Sequence, residues 1–432
     1  MRARFLLVAA AAAALASCGG SDDASAPTAT TSTAATTTSA TSSPPPEERL
    51  LAATSDAAGN RISWVDDRTL EPIDGRGVKV PFYTASAERS PDGDYLAVGE
   101  AEGGKVQFID LAQMRTLGTV DIGSASYVER LHWVKPDLVL ASLGGNPGMV
   151  AALNPTTQQI LSVHDLDGVT LYSSPAGKEL VSLVASSSRI GPARLVVFDG
   201  SELREATLAE TPAGWEQIEG TDESDYRARQ SVPALAVDPE GTRALVIPAG
   251  GRVAEVDLDT MEVRYHDLSE PVSFWGRLRD WLEPPARAKA IDGPDRNAVW
   301  LPSGLVAVSG SQYTDDGKTM KVTPAGLALI DPGDWSVRRL SDEPGWVRLE
   351  GDALLASGWR QGSDEQVLIV FDTEGNLRFS LTREGSDLSQ VGGSHLYATN
   401  HNGTRFEIID LESGKVVGKA QPRHQTWLLQ TD

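Results

Sequence analysis

The sequence predicts an all-β fold, a single propeller of four-stranded blades, and two observations lead to this prediction. Short runs of β-branched or aromatic residues, each closed by an acidic or Asn residue, recur along residues 50–432. Strand–turn–strand units of about 40 to 55 residues are typical of propeller blades. Between the runs lie Pro/Gly turns and almost no helical periodicity, which an α/β fold would require.

Eight such runs define the repeat units: Ile62–Asp66, Val106–Asp110, Val150–Asn154, Leu195–Asp199, Val253–Asp257, Leu327–Asp331, Leu368–Asp372 and Phe406–Asp410. They are short, rich in β-branched and aromatic residues, and bounded by turn formers, as strands are. A second apolar run precedes them, as in Tyr95–Gly99 after the turn Ser90–Gly93. The closing Asp or Asn is interpreted as structural, because its side chain can accept backbone N–H groups two residues on.

Two units carry a closer resemblance. Residues 105–123, KVQFIDLAQMRTLGTVDIG, and residues 396–419, which contain Tyr397-Ala398-Thr399-Asn400, resemble the repeat of YVTN-type (quinoprotein/WD40-like) β-propellers. The resemblance covers roughly residues 50–432. It implies a propeller, in a family that usually has seven blades, whereas eight units are counted here. It implies little about function, since propellers host many unrelated activities.

Ring closure is expected between the two ends of this domain. A strand near Thr426-Trp427-Leu428-Leu429 is predicted to join the first unit, residues 50–73. Closure of this kind removes the exposed sheet edges that otherwise invite aggregation.

Residues 1–17 predict a lipoprotein signal peptide. Arg2 and Arg4 precede ten apolar residues, too few for a membrane span, which needs about 20, but typical of a secretory signal. Leu15-Ala16-Ser17-Cys18 resembles the bacterial lipobox, which implies cleavage before Cys18 and acylation of its thiol with palmitate-type chains. Cys18 is the only cysteine, so no internal disulfide competes for it. The alternative is an ordinary signal peptide whose cysteine is incidental.

Residues 18–49 predict a disordered tether after the lipidated Cys18. Between residues 19 and 46 the chain is almost wholly Gly, Ser, Thr, Ala and Pro, a composition that cannot bury enough apolar surface to fold. The whole chain has a formal net charge of −22. An acidic chain is repelled by nucleic acid, so nucleic acid is excluded as a partner. We expect an exported, monomeric propeller attached to the extracytoplasmic face of the cell membrane, or held in a periplasm.

Three long connections interrupt the repeat, at residues 209–231, 269–297 and 309–325. In a four-stranded blade, the loops between its second and third strands share one face with the links to the next blade. All three connections are assigned to that face. Long loops on a rigid scaffold usually carry function. Residues 269–285 also show an amphipathic helical spacing, interpreted as a short capping helix or as a binding lid.

Aromatic, Arg and amide side chains of this face are the candidate binding residues, since interface hot spots favour aromatics and Arg and aromatic faces stack on sugars. The candidates are Trp215, Tyr226, Arg229, Trp275, Trp281, Tyr313, Trp359, Arg360, Asn400 and His401. Acidic loop residues at 222–225 and 315–316 lack a calcium-loop spacing. No metal site and no cofactor are expected.

Three functions remain open. The sequence contains no nucleophile elbow, zincin motif, dinucleotide fingerprint or P-loop, which favours a non-catalytic module that binds a protein, peptide or glycan at the cell envelope. The second is a propeller enzyme of lactonase-like hydrolase type, which a carboxylate or His converging with Arg at the channel mouth would favour. The third is a structural part of an envelope complex, which an apolar patch on the outer strands would favour.

Overall fold

A computed structural model describes residues 50–429, apart from positions 58, 82, 124–126, 218–226, 269–289, 316–319, 361–364, 385–387 and 400–402. The predicted signal peptide, Cys18 and the tether lie outside the described residues. Apart from strands, the described residues contain one short 3-10 helix, Ile73–Gly75. The all-β prediction is therefore confirmed. Within the same residues, no helix has the length and apolar character needed to cross a membrane.

Six four-stranded sheets form separate blades. One contains β1 (Leu50–Asp56), β2 (Gly59–Val65), β3 (Val78–Val80) and β34 (Gln425–Leu428). Two follow it along the chain: β4 (Thr84–Arg89), β5 (Tyr95–Glu100), β6 (Lys105–Asp110) and β7 (Arg115–Asp121), then β8 (Tyr127–Lys135), β9 (Leu138–Gly144), β10 (Met149–Asn154) and β11 (Gln159–Asp165).

The other three separate blades lie in the second half of the chain. They are β17 (Ala234–Val237), β18 (Arg243–Ile247), β19 (Val253–Asp257) and β20 (Val263–His266); β26 (Trp346–Glu350), β27 (Ala353–Trp359), β28 (Glu365–Phe371) and β29 (Leu377–Glu384); and β30 (Leu388–Gly392), β31 (His395–Thr399), β32 (Phe406–Asp410) and β33 (Val416–Ala420). In each, neighbouring strands pair in chain order.

The remaining strands belong to one ten-stranded sheet. They are β12 (Val169–Ala176), β13 (Glu179–Ala185), β14 (Gly191–Phe198), β15 (Leu203–Gln217), β16 (Arg227–Ser231), β21 (Ala290–Trp300), β22 (Val306–Asp315), β23 (Met320–Pro324), β24 (Leu327–Ile330) and β25 (Val337–Ser341). The order is β12-β13-β14-β15-β16-β21-β22-β24-β25, with β23 paired to β22.

The predicted blade count is wrong. Neither eight separate units nor the alternative of seven is observed, because six blades are separate within the described residues. The fourth and sixth repeat units are joined through β16 into the ten-stranded sheet. A count of repeats detects each strand–turn–strand pattern. It does not detect a connection that itself forms a strand and joins the sheets of two units.

The sheets form a ring around a channel. The first strands of consecutive groups, from β4 and β8 through β12, β17, β21 and β26, contact one another. The last strand, β34, pairs antiparallel with β1, from Ala52 opposite Leu428 to Ser55 opposite Gln425. The predicted closure by the C-terminal strand is therefore confirmed, and β1 has no open edge.

All eight repeat runs form the third strand from the channel, and their closing Asp or Asn residues make turns. Asp257 accepts the backbone amides of Asp259 at 3.1 Å and Thr260 at 2.8 Å. The Thr260 amide and hydroxyl hydrogen bonds lower the pKa of Asp257. The equivalent residues accept amides two to four residues on in the same way: Asp66, Asp110, Asn154, Asp199, Asp331, Asp372 and Asp410. The structural interpretation of these residues is confirmed.

The hydrophobic core lies between neighbouring sheets. One cluster joins β5–β7 to β8–β10, and there Phe108 meets Trp133 edge to face at 5.9 Å. Another joins β13–β15 to β18–β19. Burial of each such large apolar side chain stabilises the fold by about 1.5–3 kcal/mol. The packed sheets therefore hold the channel-facing strand ends at fixed positions.

Candidate functional site

The three long connections meet in one sheet. The end of β15 pairs antiparallel with β16, from Gly214 opposite Ser231 to Gln217 opposite Ala228. Strand β16 pairs in parallel with the beginning of β21, and the end of β22 turns back as β23. We call residues 214–217, 227–231, 290–293, 311–315 and 320–324 the added sheet. Strands from the three connections that the sequence assigns to one face are thus joined to one another by backbone hydrogen bonds.

Gly293 is required for this assembly. Its φ is +136°, and a Cβ atom there would lie 1.9 Å from the carbonyl oxygen of Gln230. Only glycine permits both the backbone angle and this close approach of β16 to β21. The helical spacing at residues 269–285 lies outside the described residues.

Three of the predicted binding residues lie on the added sheet. Trp215 is half-buried, and its indole N–H donates to the Gln230 side chain at 3.3 Å. Arg229 is exposed. It lies opposite Glu216 of β15 on one side and opposite Asp292 of β21 on the other. Tyr313 is half-buried and pairs with Gly293. The structure therefore brings Trp215, Arg229 and Tyr313 into one sheet.

Two other predicted residues lie on a different blade. Trp359 ends β27 and exposes 46 % of its surface. Arg360 follows it, exposed, and forms ion pairs with Glu343 at 3.4 Å and Glu365 at 2.7 Å. The remaining predicted residues lie outside the described residues: Tyr226, Trp275, Trp281, Asn400 and His401.

Trp359 has a partner that sequence reasoning missed. Trp346 begins β26 and exposes 45 % of its surface. It pairs with Ser357 across β26 and β27, so Trp346 and Trp359 lie on the same sheet face, since side chains two residues apart share a face. Arg348 lies over the Trp346 ring at 5.4 Å. We call Trp346 and Trp359 the tryptophan pair. The sequence signal for Trp346 was its position shortly before a predicted strand–turn unit.

A second group of side chains comes from the inner strands β8, β12 and β21 and from β22, the neighbour of β21. The Tyr172 hydroxyl of β12 donates to the Asp295 carboxylate of β21 at 2.8 Å. Tyr172 also lies within reach of the negative charge of Glu129, on β8, and of Tyr313. All four side chains keep part of their surface exposed. We call Glu129, Tyr172, Asp295 and Tyr313 the carboxylate–tyrosine cluster.

The buried surroundings of the cluster disfavour the ionised forms of its carboxyl and phenol groups. Burial raises the pKa of Glu129 to about 7, although the Ser142 hydroxyl, the Ser173 backbone and the Arg130 charge oppose this shift. Burial also raises the pKa of Asp295, against the Tyr172 hydrogen bond and the Arg296 charge. The pKa of Tyr172 is raised by burial first and by the Asp295 charge second. Desolvation thus dominates at each group.

Hydroxyl groups connect Glu129 to the neighbouring strands. Ser142 of β9 donates to Glu129 Oε2 at 3.4 Å. Ser173 of β12 donates to Ser142 at 2.7 Å and lies 2.9 Å from Ser182 of β13. This chain of hydroxyls holds the carboxylate between β8 and β12.

Arg296, the residue after Asp295, stabilises the strands that carry Asp295 and Tyr313. It is fully buried, and its Nη1 donates to the carbonyls of Asp295 at 2.9 Å and Ser311 at 3.0 Å. Burial lowers its pKa to about 10, so it stays protonated at neutral pH. The arginine therefore fixes β21 to β22 and places one positive charge near Asp295.

Sequence reasoning identified Tyr313 of this cluster but not Glu129, Tyr172 or Asp295, because two of these lie on inner strands outside the long connections and Asp295 was not singled out within its connection. The signal was present: Asp295 and Arg296 are charged residues within a strand, and Glu129 and Arg130 form a similar pair in β8. In the part of the chain that the structure describes, no group of three or more His, Cys, Asp or Glu side chains is placed to hold a metal ion.

The outermost strands also expose apolar side chains. Ile160, Leu161 and Val163 of β11 expose about two fifths to one half of their surface. They lie on the outer edge strand of a blade.

Comparisons with solved structures support the propeller fold. The chain is similar to the dihydro-heme d1 dehydrogenase NirN in complex with DHE, with a TM-score of 0.58 and 12 % identity over 89 % of this chain and 75 % of that one. It is similar to apo AztD from Citrobacter koseri, with a TM-score of 0.50 and 12 % identity over 88 % and 96 %.

A weaker likeness is to BamB from Moraxella catarrhalis, with a TM-score of 0.43 and 14 % identity over 78 % of this chain and 91 % of that one. No protein-family model matches the chain, and no curated protein matches it in sequence. At 12 % identity the likenesses to NirN and AztD show the fold alone: a β-propeller.

Proposed function

We propose that the chain is a lipid-anchored, extracytoplasmic propeller of YVTN type that binds a protein, peptide or glycan of the cell envelope at its loop-rich end. The observation that carries the binding function is the tryptophan pair. Trp346 and Trp359 expose nearly half of their surface on one sheet face. Trp346 follows the connection from the preceding blade, and Trp359 precedes the loop between β27 and β28. We assign both connections to the loop-rich end.

The chemistry of the tryptophan pair suits recognition. A large aromatic surface left in contact with water favours burial by a ligand. Arg348 lies over the Trp346 ring, and Trp with Arg is the combination that interface hot spots favour. The added sheet supports the same face with Trp215, Arg229 and Tyr313. The predicted residues Tyr226, Trp275, Trp281, Asn400 and His401 belong to the proposed face as well.

The anchor rests on the N-terminal sequence. The signal peptide at residues 1–17 and the lipobox-like Leu15–Cys18 support acylation of Cys18. The tether of about 28 residues would span roughly 30 Å as a flexible coil, enough to hold the propeller clear of the lipid headgroups. The membrane, through the lipid on Cys18, is thus one partner, and the ligand of the loop-rich end is the other.

The experiment uses the full-length chain, extracted from bacterial membranes in detergent and immobilised. Binding of envelope glycans, peptidoglycan fragments and solubilised envelope proteins is measured by interferometry. We expect Trp346→Ala and Trp359→Ala each to lower the affinity at least tenfold, a loss of about 1.4 kcal/mol or more. Leu377→Ala removes an exposed apolar side chain from the same blade and is the matched control. Equal affinities for all variants would remove the tryptophan pair as the binding surface.

A second candidate function is a hydrolase of lactonase-like type. It is favoured by the position of the Glu129 carboxylate between β8 and β12, near the charge of Arg130, and by a Glu129 pKa of about 7, since a general base works best with a pKa near the operating pH. Hydrolysis of small lactones by the full-length chain, followed from pH 5 to 9, tests it. Activity that rises through pH 7 and is lost in Glu129→Gln would establish this function in place of the first.

A further inference from the structure

We propose that β11, the outer strand Gln159–Asp165, is the surface through which the chain pairs edge to edge with a second copy of itself. This proposal goes beyond the ligand binding proposed above and concerns a different blade from the tryptophan pair. It is carried by the charge pattern of the outer strands and by the apolar side chains that β11 exposes. It replaces the monomer that we expected from the sequence.

The outer side of β11 has no partner strand in the part of the chain that the structure describes. Its sheet has the order β11-β10-β9-β8, so β11 pairs with β10 alone. The outer side of an edge strand presents backbone N–H and C=O groups to which another strand can bond. With seven residues, β11 is longer than the outer strands β3, of three residues, and β20, of four. It therefore offers a long template for pairing.

Three apolar side chains of β11 lie in water. Ile160 exposes 41 %, Leu161 51 % and Val163 40 % of its surface. Within the described residues, no other strand exposes three large apolar side chains. Single exposed apolar residues are ordinary, whereas neighbouring ones mark an interaction surface. A strand laid along β11 would bond its free backbone groups and remove these side chains from water.

Charge distinguishes β11 from the other outer strands. Proteins protect open sheet edges with charged side chains, above all Lys. Among the described strands, the last strand of every other repeat unit carries Lys or Arg. These residues are Lys79 in β3, Arg115 in β7, Arg204 in β15, Arg264 in β20, Arg338 in β25, Arg378 in β29 and Lys419 in β33. Strand β11 carries neither, and its one carboxylate, Asp165, is its last residue.

The backbone of β11 does have one feature that protects an edge. Its pairing with β10 shifts register at Leu161, between the pairs Leu153–Ile160 and Ala152–Ser162. A shift of this kind twists an edge and blunts it. Strands β7, β25, β29 and β33 contain a shift as well, and they carry cations in addition. Strand β11 thus lacks the protection by charge that these edges have.

Side chains that alternate with Val163 hold β11 in place. The Ser162 hydroxyl donates to the Gly200 carbonyl of the next blade at 2.7 Å. The His164 ring packs edge to face on Phe198, at 5.6 Å between ring centres. The strand is therefore ordered before a partner arrives, which lowers the entropy that pairing costs.

The missing charge favours a second copy as the partner. In a two-fold pair the same strand lies on both sides of the axis, so a charge near the strand centre would approach its own copy and repel it. A different protein could instead meet a charged edge with the opposite charge. With antiparallel pairing centred on Ser162, Leu161 lies opposite Val163 of the second copy, and Asp165 lies opposite Gln159. No two like charges face each other in this register.

The pairing should be weak and should strengthen with salt. A standard specific interface buries about 800 Å² per partner, more than one edge strand supplies, so we expect a dissociation constant on the order of micromolar. Each copy carries a formal net charge of −22. Repulsion between two such chains is screened as the ionic strength rises, whereas the apolar contact is not weakened.

The test is sedimentation velocity of the full-length chain in detergent, with micelles in excess over protein. We expect a reversible monomer–dimer equilibrium between about 1 and 100 µM that strengthens from about 0.05 to 0.5 M NaCl. Val163→Lys and Val163→Glu should each raise the dissociation constant at least tenfold. Leu377→Lys introduces the same charge at an exposed apolar position of the outer strand β29 and should leave the equilibrium unchanged.

A mixture of the two Val163 variants tests for direct contact between copies. Two positions at residue 163 lie diagonally across the proposed axis, within reach of long side chains. An equimolar mixture of Val163→Lys and Val163→Glu should therefore dimerise again, with at least a tenfold lower dissociation constant than either variant alone. This recovery also shows that both variants are folded.

Three results would overturn the proposal. The first is a wild-type chain that stays monomeric at every concentration, including one that binds an apolar strand of another protein through β11. The second is a dimer that Val163→Lys leaves intact, which would place the contact elsewhere or in shared micelles. The third is a mixture of the two variants that stays monomeric. Ligand binding at the tryptophan pair is measured separately through Trp359→Ala, so failure of the dimer and failure of the proposed function remain distinct.

Discussion

Tyr172 and Asp295 are joined by a hydrogen bond of 2.8 Å across 123 positions of sequence. Tyr172 belongs to β12 and Asp295 to β21, and both of these inner strands contact the four-residue strand β17 that lies between them. The bond therefore ties two non-consecutive inner strands together on the channel side. The same two strands are linked a second time through β15 and β16 of the ten-stranded sheet.

Tyr172→Phe should lower the free energy of unfolding by about 2 kcal/mol at pH 7.5, because a hydrogen bond to a charged group is worth about 1.5–3 kcal/mol. The hydrogen bond lowers the pKa of Asp295 against the effect of burial. Without it that pKa rises further, so the loss should be smaller at pH 4, where more of the carboxyl is protonated. Urea unfolding at both pH values measures this, with the exposed Tyr83→Phe as control. An equal loss at both pH values would contradict the assignment.

Glu129→Gln should change the pH dependence of stability. The pKa of Glu129 is about 7 in the folded chain against an ordinary value of 4.5, so the folded state binds more protons between these values. Stability from this group is complete below pH 4.5 and is lost as the pH rises through 7. The glutamine side chain of the variant does not ionise, so the variant does not lose this stability as the pH rises. Relative to the wild type, it should gain about 3 kcal/mol between pH 4.5 and pH 8.

Denaturant unfolding from pH 4.5 to pH 8.5 follows this difference. Glu240→Gln, at an exposed acid, should remain parallel to the wild type throughout. A Glu129→Gln profile parallel to the wild type would show that the carboxylate is hydrated enough to ionise normally.

Much of the fold could be predicted from local pattern. The eight runs ending in Asp or Asn form strands, and their turns form as expected, because a strand of β-branched residues and an Asx turn depend on neighbours within a few positions. Closure by β34 was also predictable, since an all-β ring needs its first sheet completed.

The parts that could not be predicted depend on long-range pairing. The fusion of two units through β16 requires a parallel contact between Arg227–Arg229 and Ala290–Asp292, which no local pattern encodes. The cluster of Glu129, Tyr172 and Asp295 comes from three strands, so its members are neighbours only in the fold. Of the predicted binding residues, Trp359 is exposed, whereas Trp215 is half-buried.

Gly293→Ala should disrupt the added sheet. A Cβ atom at Gly293 would lie 1.9 Å from the Gln230 carbonyl oxygen, and the φ of +136° is unfavourable for alanine. We expect a loss of about 2 kcal/mol or more in the free energy of unfolding. Gly250→Ala is the matched control, because its Cβ would meet nothing within 4 Å, and it should change stability by less than about 0.5 kcal/mol. Hydrogen exchange should locate the loosening of Gly293→Ala in residues 214–217, 227–231 and 290–293. Protection there equal to the wild type would contradict the pairing.

Leu428→Ala should weaken ring closure. Leu428 is buried and packs with Ala52, Tyr397 and Phe406 between the first and last sheets, and truncation of a buried Leu costs about 2–5 kcal/mol. Leu377→Ala removes the same side chain from an exposed site and should cost little. The melting temperature measures both changes, and size-exclusion chromatography should show self-association of Leu428→Ala alone, because the edge of β1 opens. Equal melting temperatures for the two variants would mean that β34 contributes nothing to closure.

Cys18→Ser should release the chain from the membrane. With the cysteine, we expect the chain in the membrane fraction of a bacterial host, with metabolic labelling by palmitate, since two or three acyl chains give stable anchoring where one is marginal. Serine has no thiol to acylate, so the variant should lose the label and leave the membrane, or remain with its signal peptide attached. Ser17→Ala keeps a small residue before the cysteine and should behave as the wild type. Retention of Cys18→Ser in the membrane as a cleaved, unlabelled chain would assign the anchoring to a protein partner of the propeller instead of a lipid.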